Sequence, residues 1–283
     1  VEFVYNQGIN SYIYSSGIYM DDTNTRGPIS HEIFAQIANK VTKIIYNIEA
    51  AEENMYDMIM GTHGCFDFLE ESVRRSIDAG IIVEGHFVPN KINKDQIERT
   101  LKYCADLGIS KVSFLRLVIH GRACENRDKL LLSDDDLLKI ENSLIEIRNE
   151  KIYNIRIGVP LLRKIEKYRC EAANGKLNIR YDGKVFPCEA FKNNCIESFV
   201  GCEPDNIFEN SIEKIYVNSE YLKKVRKLVR LHVCEHNYET CVGQYYIKKI
   251  WESNNIEEVY DKHEVQKNRK DSSRKEFVHE ITD

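Results

Sequence analysis

Apolar positions over residues 1–160 switch repeatedly between two periods. The opening "VEFVYNQG" has the look of a helix tail ended by Gly8. "INSYIYSSG" alternates as a strand over 10–15 and closes on Gly17. "PISHEIFAQIANK" has apolar residues at helical spacing behind Ser30, whose hydroxyl can cap the first turn. "TKIIYNIEA" is a short apolar run, a strand over 42–48. "FDFLEESVRRSIDAG" is an amphipathic helix stopped by Gly80, and "IIVEGHFVP" is a strand over 81–88. "NKDQIERTLKYCADLG" predicts a helix from Asn93 to Gly108, and "KVSFLRLVI" a strand over 111–117. "SDDDLLKIENSLIEIRNE" is a helix with Ser133 as cap, Asp136 three residues later, and acids where the helix dipole favours them. "IYNIRIGV" completes the series as a further strand.

Strand and helix in strict alternation, with short connections, predict parallel strands joined by helical crossovers. The fold class is α/β, an array of parallel strands and crossover helices. Four clear strands are few for such an array, and the first begins close to residue 1, so the pattern looks entered partway. After Pro160 the pattern changes. Residues 170–250 hold a hairpin, two helical stretches ("SIEKIYV" and "SEYLKKVRKLVRLHV") and six of the nine cysteines. From about 253 the chain is charged and poor in apolar residues. The expected organisation is a parallel βα part over 1–160, a small α+β cysteine-rich domain over 161–252, and a charged tail over 253–283.

Composition narrows the functional classes. A net charge of -5 and a pI near 6.0 favour neither nucleic acid nor an anionic membrane as partner. No apolar run reaches the roughly 18 residues of a membrane span. Residues 1–20 lack the basic start and apolar core of an export signal, which makes the cytoplasm the expected compartment. Nine cysteines, an odd number, fit a disulfide framework poorly and reduced, partly metal-bound thiols better. Cys65 and Cys104 fall in helical patterns and suit small buried positions.

The chemistry concentrates in "CEAANGKLNIRYDGKVFPCEAFK", residues 170–192. Cys170 and Cys188 bracket two alternating stretches around Asp182-Gly183, residues suited to a tight hairpin turn. A hairpin brings its ends together, so both thiolates can serve one metal centre, which ordinarily takes four ligands. Cys234 and Cys241 in "CEHNYETC" are the best further candidates, with Cys195 and Cys202 as alternates. His232 and His236 share helical spacing, and His236 is a possible stand-in ligand. The spacing lacks paired CxxC knuckles, so zinc and an iron–sulfur cluster both remain open at this point.

The segments "CEAANGKLNIRYDGKVFPCEAFK", "DNIFENSIEKIYVNSEYLKKVR" and "CEHNYETCVGQ" resemble the SPASM/twitch extension of radical S-adenosylmethionine (SAM) enzymes. "IYSSGI", "GTHGCFDFLEESVRRSIDAGIIVEGHFVPNKIN" and "LGISKVSFLRLVIHGRA" resemble the later strands of that family's partial (β/α)6 barrel. The resemblance covers about residues 8–245. It implies an auxiliary [4Fe–4S] cluster on Cys170, Cys188, Cys234 and Cys241. Asn237 stands where a second cluster's cysteine would fall, so one auxiliary cluster is expected. Ser15, Asn47, His86 and Arg116, at or near strand ends, and Arg122 of "HGR" are implied contacts to S-adenosylmethionine. The implied activity is peptide or protein side-chain modification through a 5′-deoxyadenosyl radical, with a flavodoxin or ferredoxin as electron donor. The family's CxxxCxxC loop, which holds the SAM-binding cluster, occurs nowhere in the 283 residues, and neither does its glycine-rich second-strand segment. The expectation is a chain incomplete at its start that cannot cleave SAM by itself. The alternative is a non-catalytic relic or scaffold holding one iron–sulfur cluster or zinc.

Overall fold

A computed structural model of the chain describes residues 1–118, 122–162, 170–192, 200–236 and 241–252, without the side chains of 124, 233–236 and 248–252. It divides into two units, Val1–Leu162 and Arg163–Asp283. The first runs α1 (Glu2–Asn6), β1 (Tyr12–Ser15), β2 (Ile18–Met20), β3 (Arg26–Pro28), α2 (His31–Ile37), β4 (Lys43–Asn47), α3 (Glu53–Met60) and α4 (Phe66–Asp78). It continues with β5 (Val83–Phe87), α5 (Ile97–Asp106), β6 (Lys111–Phe114), α6 (Arg122–Glu125), α7 (Arg127–Leu130), α8 (Asp134–Glu150) and β7 (Ile155–Ile157).

One sheet organises this unit, in the order β1-β4-β5-β6-β7, with every neighbouring pair parallel. Spatial order repeats chain order. The chain therefore winds one way around the sheet, as in the wall of a (β/α) barrel, whereas a doubly wound sheet reverses direction. Side chains alternate between the two faces. Ile44, Tyr46, Val83, Phe87, Val112, Phe114, Ile155 and Ile157 enter the main hydrophobic core. The alternate set, Ile45, Asn47, Glu84, His86, Lys111, Ser113 and Arg156, occupies the opposite face and is mostly polar or charged.

Helix α4 docks on this sheet through hydroxyls as well as apolar side chains. The buried Tyr46 Oη lies 3.1 Å from Ser76 Oγ and donates to the Ser72 carbonyl at 3.3 Å. Ser72, fully buried, donates its hydroxyl to the Gly17 carbonyl at 2.6 Å and accepts from the Ile29 amide at 2.8 Å. One side chain thus ties α4 to both ends of the β2–β3 ribbon. Helix α8 begins with a full capping box: Ser133 Oγ accepts from the Asp136 amide, and the Asp136 carboxylate accepts from the Ser133 amide. The Lys94 ammonium and the Ser133 hydroxyl hold the Asp136 carboxyl down at about 2.

Just beyond β4, Glu49 is 7% exposed and accepts from the Val88 amide at 3.1 Å. Burial pushes its carboxyl up to about 8, against the single amide that favours the charge. Asn93 fastens the same corner by donating to the carbonyls of Glu49 and Val88.

The second unit contains β8 (Asn178–Ile179), β9 (Val185–Phe186), α9 (Ile212–Asn218), α10 (Glu220–His236) and α11 (Val242–Glu252). Strands β8 and β9 pair antiparallel, and the 205–207 segment joins the ribbon through Val185 N–H to the Asp205 carbonyl and Ile207 N–H to the Gly183 carbonyl. Val185, Phe186, Phe191, Tyr221, Leu222 and Val225 form its buried centre. Tyr221 Oη donates to the Phe191 carbonyl, and its ring meets Phe186 edge-on at 6.1 Å. Arg226 donates to the Ala173 carbonyl at 2.9 Å, bracing a non-glycine residue at φ +60.

Several expectations are sharpened or corrected. The strands are shorter than their apolar runs, because side chains continue to pack where ladder hydrogen bonds have stopped. The 93–108 helix starts with a 3₁₀ turn, Lys94–Gln96, because the Asn93 side chain faces the Glu49 corner instead of capping. The hairpin connection between β8 and β9 is five residues long. Gly183 donates to the Arg180 carbonyl and takes φ +83 behind the turn, as in a type I turn with a bulge. Helices α3 and α11 and the β2–β3 ribbon add to the elements the pattern predicts. Residues 253–283, expected as a charged tail, lie outside the described residues. Among the described residues no helix is long and apolar enough to cross a membrane.

Ser72→Ala removes both contacts to the ribbon and leaves the Gly17 carbonyl without its donor. The expected cost is about 2–4 kcal/mol in urea denaturation, and a change within about 0.5 kcal/mol would refute the docking role. For Glu49, the folded value lies above its ordinary 4.5, so the folded chain holds this proton more tightly than the unfolded chain. Stability from this group is complete below about 4.5 and is lost as pH rises through about 8. Glu49→Gln, which mimics the protonated acid, should raise the urea midpoint at pH 8 and leave it nearly unchanged at pH 4.5; equal shifts at both pH values would contradict the assignment.

Candidate metal centre and strand-end face

The thiols implicated by the sequence are placed by three different elements. Cys170 leads into the hairpin and is 9% exposed. Cys188 follows β9 and opens the 3₁₀ turn Glu189–Lys192. Cys241 directly precedes α11. Burial first, then Cys241 and Cys170, push the Cys188 thiol up to about 12. The Phe191 and Ala190 amides act in the opposite sense, and the Phe191 amide donates to the Cys188 carbonyl at 3.1 Å. Cys188 thus feels both Cys241 and Cys170, and two peptide N–H groups favour its thiolate form.

A glycine permits this convergence. A Cβ on Gly243 would lie 2.5 Å from Ala190 Cβ and 3.4 Å from the Phe191 ring. Without one, the start of α11 seats directly on the 3₁₀ turn that carries Cys188. Cys234 lies on α10, and its thiol is outside the described residues. Cys195 and Asn237 are also outside them. Cys202 is half-buried and makes no contribution to the Cys188 environment. His232 on α10 is buried with its ring 4.6 Å from Tyr245. Among the described residues no three His, Cys, Asp or Glu side chains form a site for a single metal ion. The donor set is all sulfur with amide donors beside it, which suits a sulfur-ligated cluster.

The five residues implied for S-adenosylmethionine separate. Asn47 and His86 are cross-strand partners near the carboxyl ends of β4 and β5. His86 is half-buried, and burial and then the Arg156 charge lower its imidazole to about 4. Ser15 faces away from them and accepts from the Gly17 amide at 3.0 Å. Arg116 donates to the Pro160 carbonyl at 3.4 Å, and Arg122 to the Met60 carbonyl at 3.0 Å. His120 and Gly121 of "HGR" lie outside the described residues. Two residues absent from the sequence-based set belong to the same region: Glu49, beyond Asn47 on the same strand parity, and Arg156 on β7. Strand alternation could have found Arg156. No local signal distinguishes the buried Glu49 from an exposed acid.

Residues 170–243 match the family model of SPASM, an iron–sulfur cluster-binding domain. Among solved structures, Streptococcus suis SuiB bound to S-adenosylmethionine superposes with a TM-score of 0.58 at 17% identity, over 80% of this chain and 52% of that one. SuiB bound to precursor peptide SuiA gives 0.56 at 16% identity, over 77% and 50%. The anSMEcpe structure with bound AdoMet and Cp18Cys peptide gives 0.54 at 13% identity, over 78% and 61%. The chain thus spans about half the length of SuiB and less than two thirds of anSMEcpe. The chain shares its fold with SuiB and anSMEcpe, and its residues 170–243 are similar to SPASM, an iron–sulfur cluster-binding domain.

Proposed function

We propose that this chain is part of a radical SAM oxidoreductase that modifies a peptide or protein side chain. In this reading Cys170, Cys188, Cys234 and Cys241 hold one auxiliary [4Fe–4S] cluster. The observation that carries it is the electrostatic influence of Cys241 and Cys170 on the Cys188 thiol, within the segment that matches an iron–sulfur cluster-binding domain. When bound, such a cluster supplies an electron-accepting or substrate-binding centre. The protein's own contribution is to hold the thiols buried or half-buried, set the Phe191 and Ala190 amides near Cys188, and fix Cys241 through the Gly243 contact. Asn47 and His86 line the strand-end face where S-adenosylmethionine and a peptide are expected, in keeping with the bound molecules of SuiB and anSMEcpe. Cytoplasmic location and a flavodoxin or ferredoxin donor go with this chemistry.

The sequence itself supports a second statement. With no CxxxCxxC among its residues, this chain alone does not cleave SAM. On this reading it acts with a segment or partner that supplies that loop, or else keeps the auxiliary cluster as a structural or electron-transfer site.

Anaerobic reconstitution with ferrous iron and sulfide tests the cluster. The chain should turn brown and bind about four irons. Cys188→Ala and Gly243→Leu should each lose most of that iron, and Cys202→Ala should keep it. A colourless protein, or full iron in Cys188→Ala, would overturn the assignment.

A further inference from the structure

On the polar face of the first unit's sheet, one row near the carboxyl ends of the strands runs Asn47, His86, Ser113, Arg156. The ladder sets this row: Asn47 pairs with His86, His86 with Ser113, and Ser113 with Arg156. Two observations orient the side chains. The Tyr14 ring from β1 lies 5.3 Å from the His86 ring. The register through Ser113 puts Arg156 on the same face as His86, and the Arg156 charge acts on the imidazole.

The charges on this face do not balance. Lys43 and Lys111 both turn to Glu84, at 2.8 and 3.8 Å. Arg156 is exposed, and among the described residues no carboxylate pairs with it. His86 stays neutral at physiological pH and offers a ring N–H without a second positive charge. Ser113 is buried beneath the row and brings a hydroxyl to it. The available recognition elements are therefore one unpaired guanidinium fork, two neutral polar groups and an exposed aromatic ring. A guanidinium fork matches a carboxylate in two parallel hydrogen bonds. A doubly charged phosphate would call for a second uncommitted cation, and both lysines are held by Glu84.

We propose that Arg156, with Ser113 and His86 beside it, binds the carboxylate of an acidic side chain on a peptide substrate. This rests on the peptide-modifying reading above and adds to it the chemical class of the residue recognised. Tyr14 covers the neighbouring stretch of peptide, and Asn47 is free to meet its backbone.

The test uses two labelled pentapeptides that differ at one position, Ala-Ala-Glu-Ala-Ala and its Gln twin, with the 283-residue chain in fluorescence anisotropy. S-adenosylmethionine binding is measured in parallel by equilibrium dialysis. The Glu peptide should bind about tenfold more tightly than its twin, as one charge-assisted pair provides. Arg156→Met should reduce that preference to within about twofold, Arg156→Lys should restore part of it, and S-adenosylmethionine binding should not change. Because Arg156 is exposed, both variants are expected to keep the parent's urea midpoint, which is checked first. Equal affinity for the twins, or a preference that survives Arg156→Met, would overturn the carboxylate site and leave the peptide reading standing. Failure of both peptides to bind would overturn both. Loss of S-adenosylmethionine affinity in Arg156→Met would assign the guanidinium to that ligand's carboxylate and overturn the peptide assignment.

Discussion

The contact between Gly243 and Ala190 is the constraint on which the candidate metal centre depends. A side chain at 243 would stand 2.5 Å from the Ala190 methyl. Its absence lets α11 begin against the 3₁₀ turn after β9, and that closeness is what sets Cys241 beside Cys188. The hairpin supplies the other half of the arrangement. Strands β8 and β9 are only two residues long each, so they add little ladder energy of their own. Their stability comes from packing: Phe186 against Tyr221, Phe191 beneath the start of α11, and Arg226 on the Ala173 carbonyl. The candidate metal centre therefore depends on the packing of helices α10 and α11 on a minimal hairpin.

The first unit divides its labour by strand parity. One set of alternate residues makes the core with the helices and includes Tyr46, whose hydroxyl engages α4. The other set leaves a face that holds three cations, Lys43, Lys111 and Arg156, against Glu84 as its charged acid. Glu49 does not alter that balance near neutrality, because burial keeps its proton on. A mostly polar sheet face costs the unit part of the apolar burial it could have had. It is on this face that the proposed peptide contacts lie.

Much of this was legible in the chain. Ser30, Ser133 and Asp136 announce their helix starts, and the caps form as those residues dictate. The period-two runs around Ile44, Val83 and Val112 mark three parallel strands, because buried strands need apolar residues on the core side. Cys170 and Cys188 stand out because the Asp182-Gly183 turn brings their flanks together. Other features depend on contacts distant in sequence and leave no local mark. Gly243 looks like any helix-start glycine until Ala190 is seen beneath it. The short β2–β3 ribbon depends on Ser72, more than forty residues away from Ile29. Arg156 gains meaning only from its neighbours across β6 and β5. The turn at Gly183 follows from Asp-Gly, but its bulged type does not, because the pair serves both two-residue turns and bulged ones.

The claim that three thiols from separate elements share one pocket can be tested without any metal. Mild oxidation of the metal-free chain, followed by mass spectrometry of the linked peptides, reports which sulfurs can reach each other. The account predicts Cys188–Cys241 and Cys170–Cys188 as the dominant linkages. Linkage of Cys188 chiefly to Cys202, with Cys241 left as a free thiol, would contradict it.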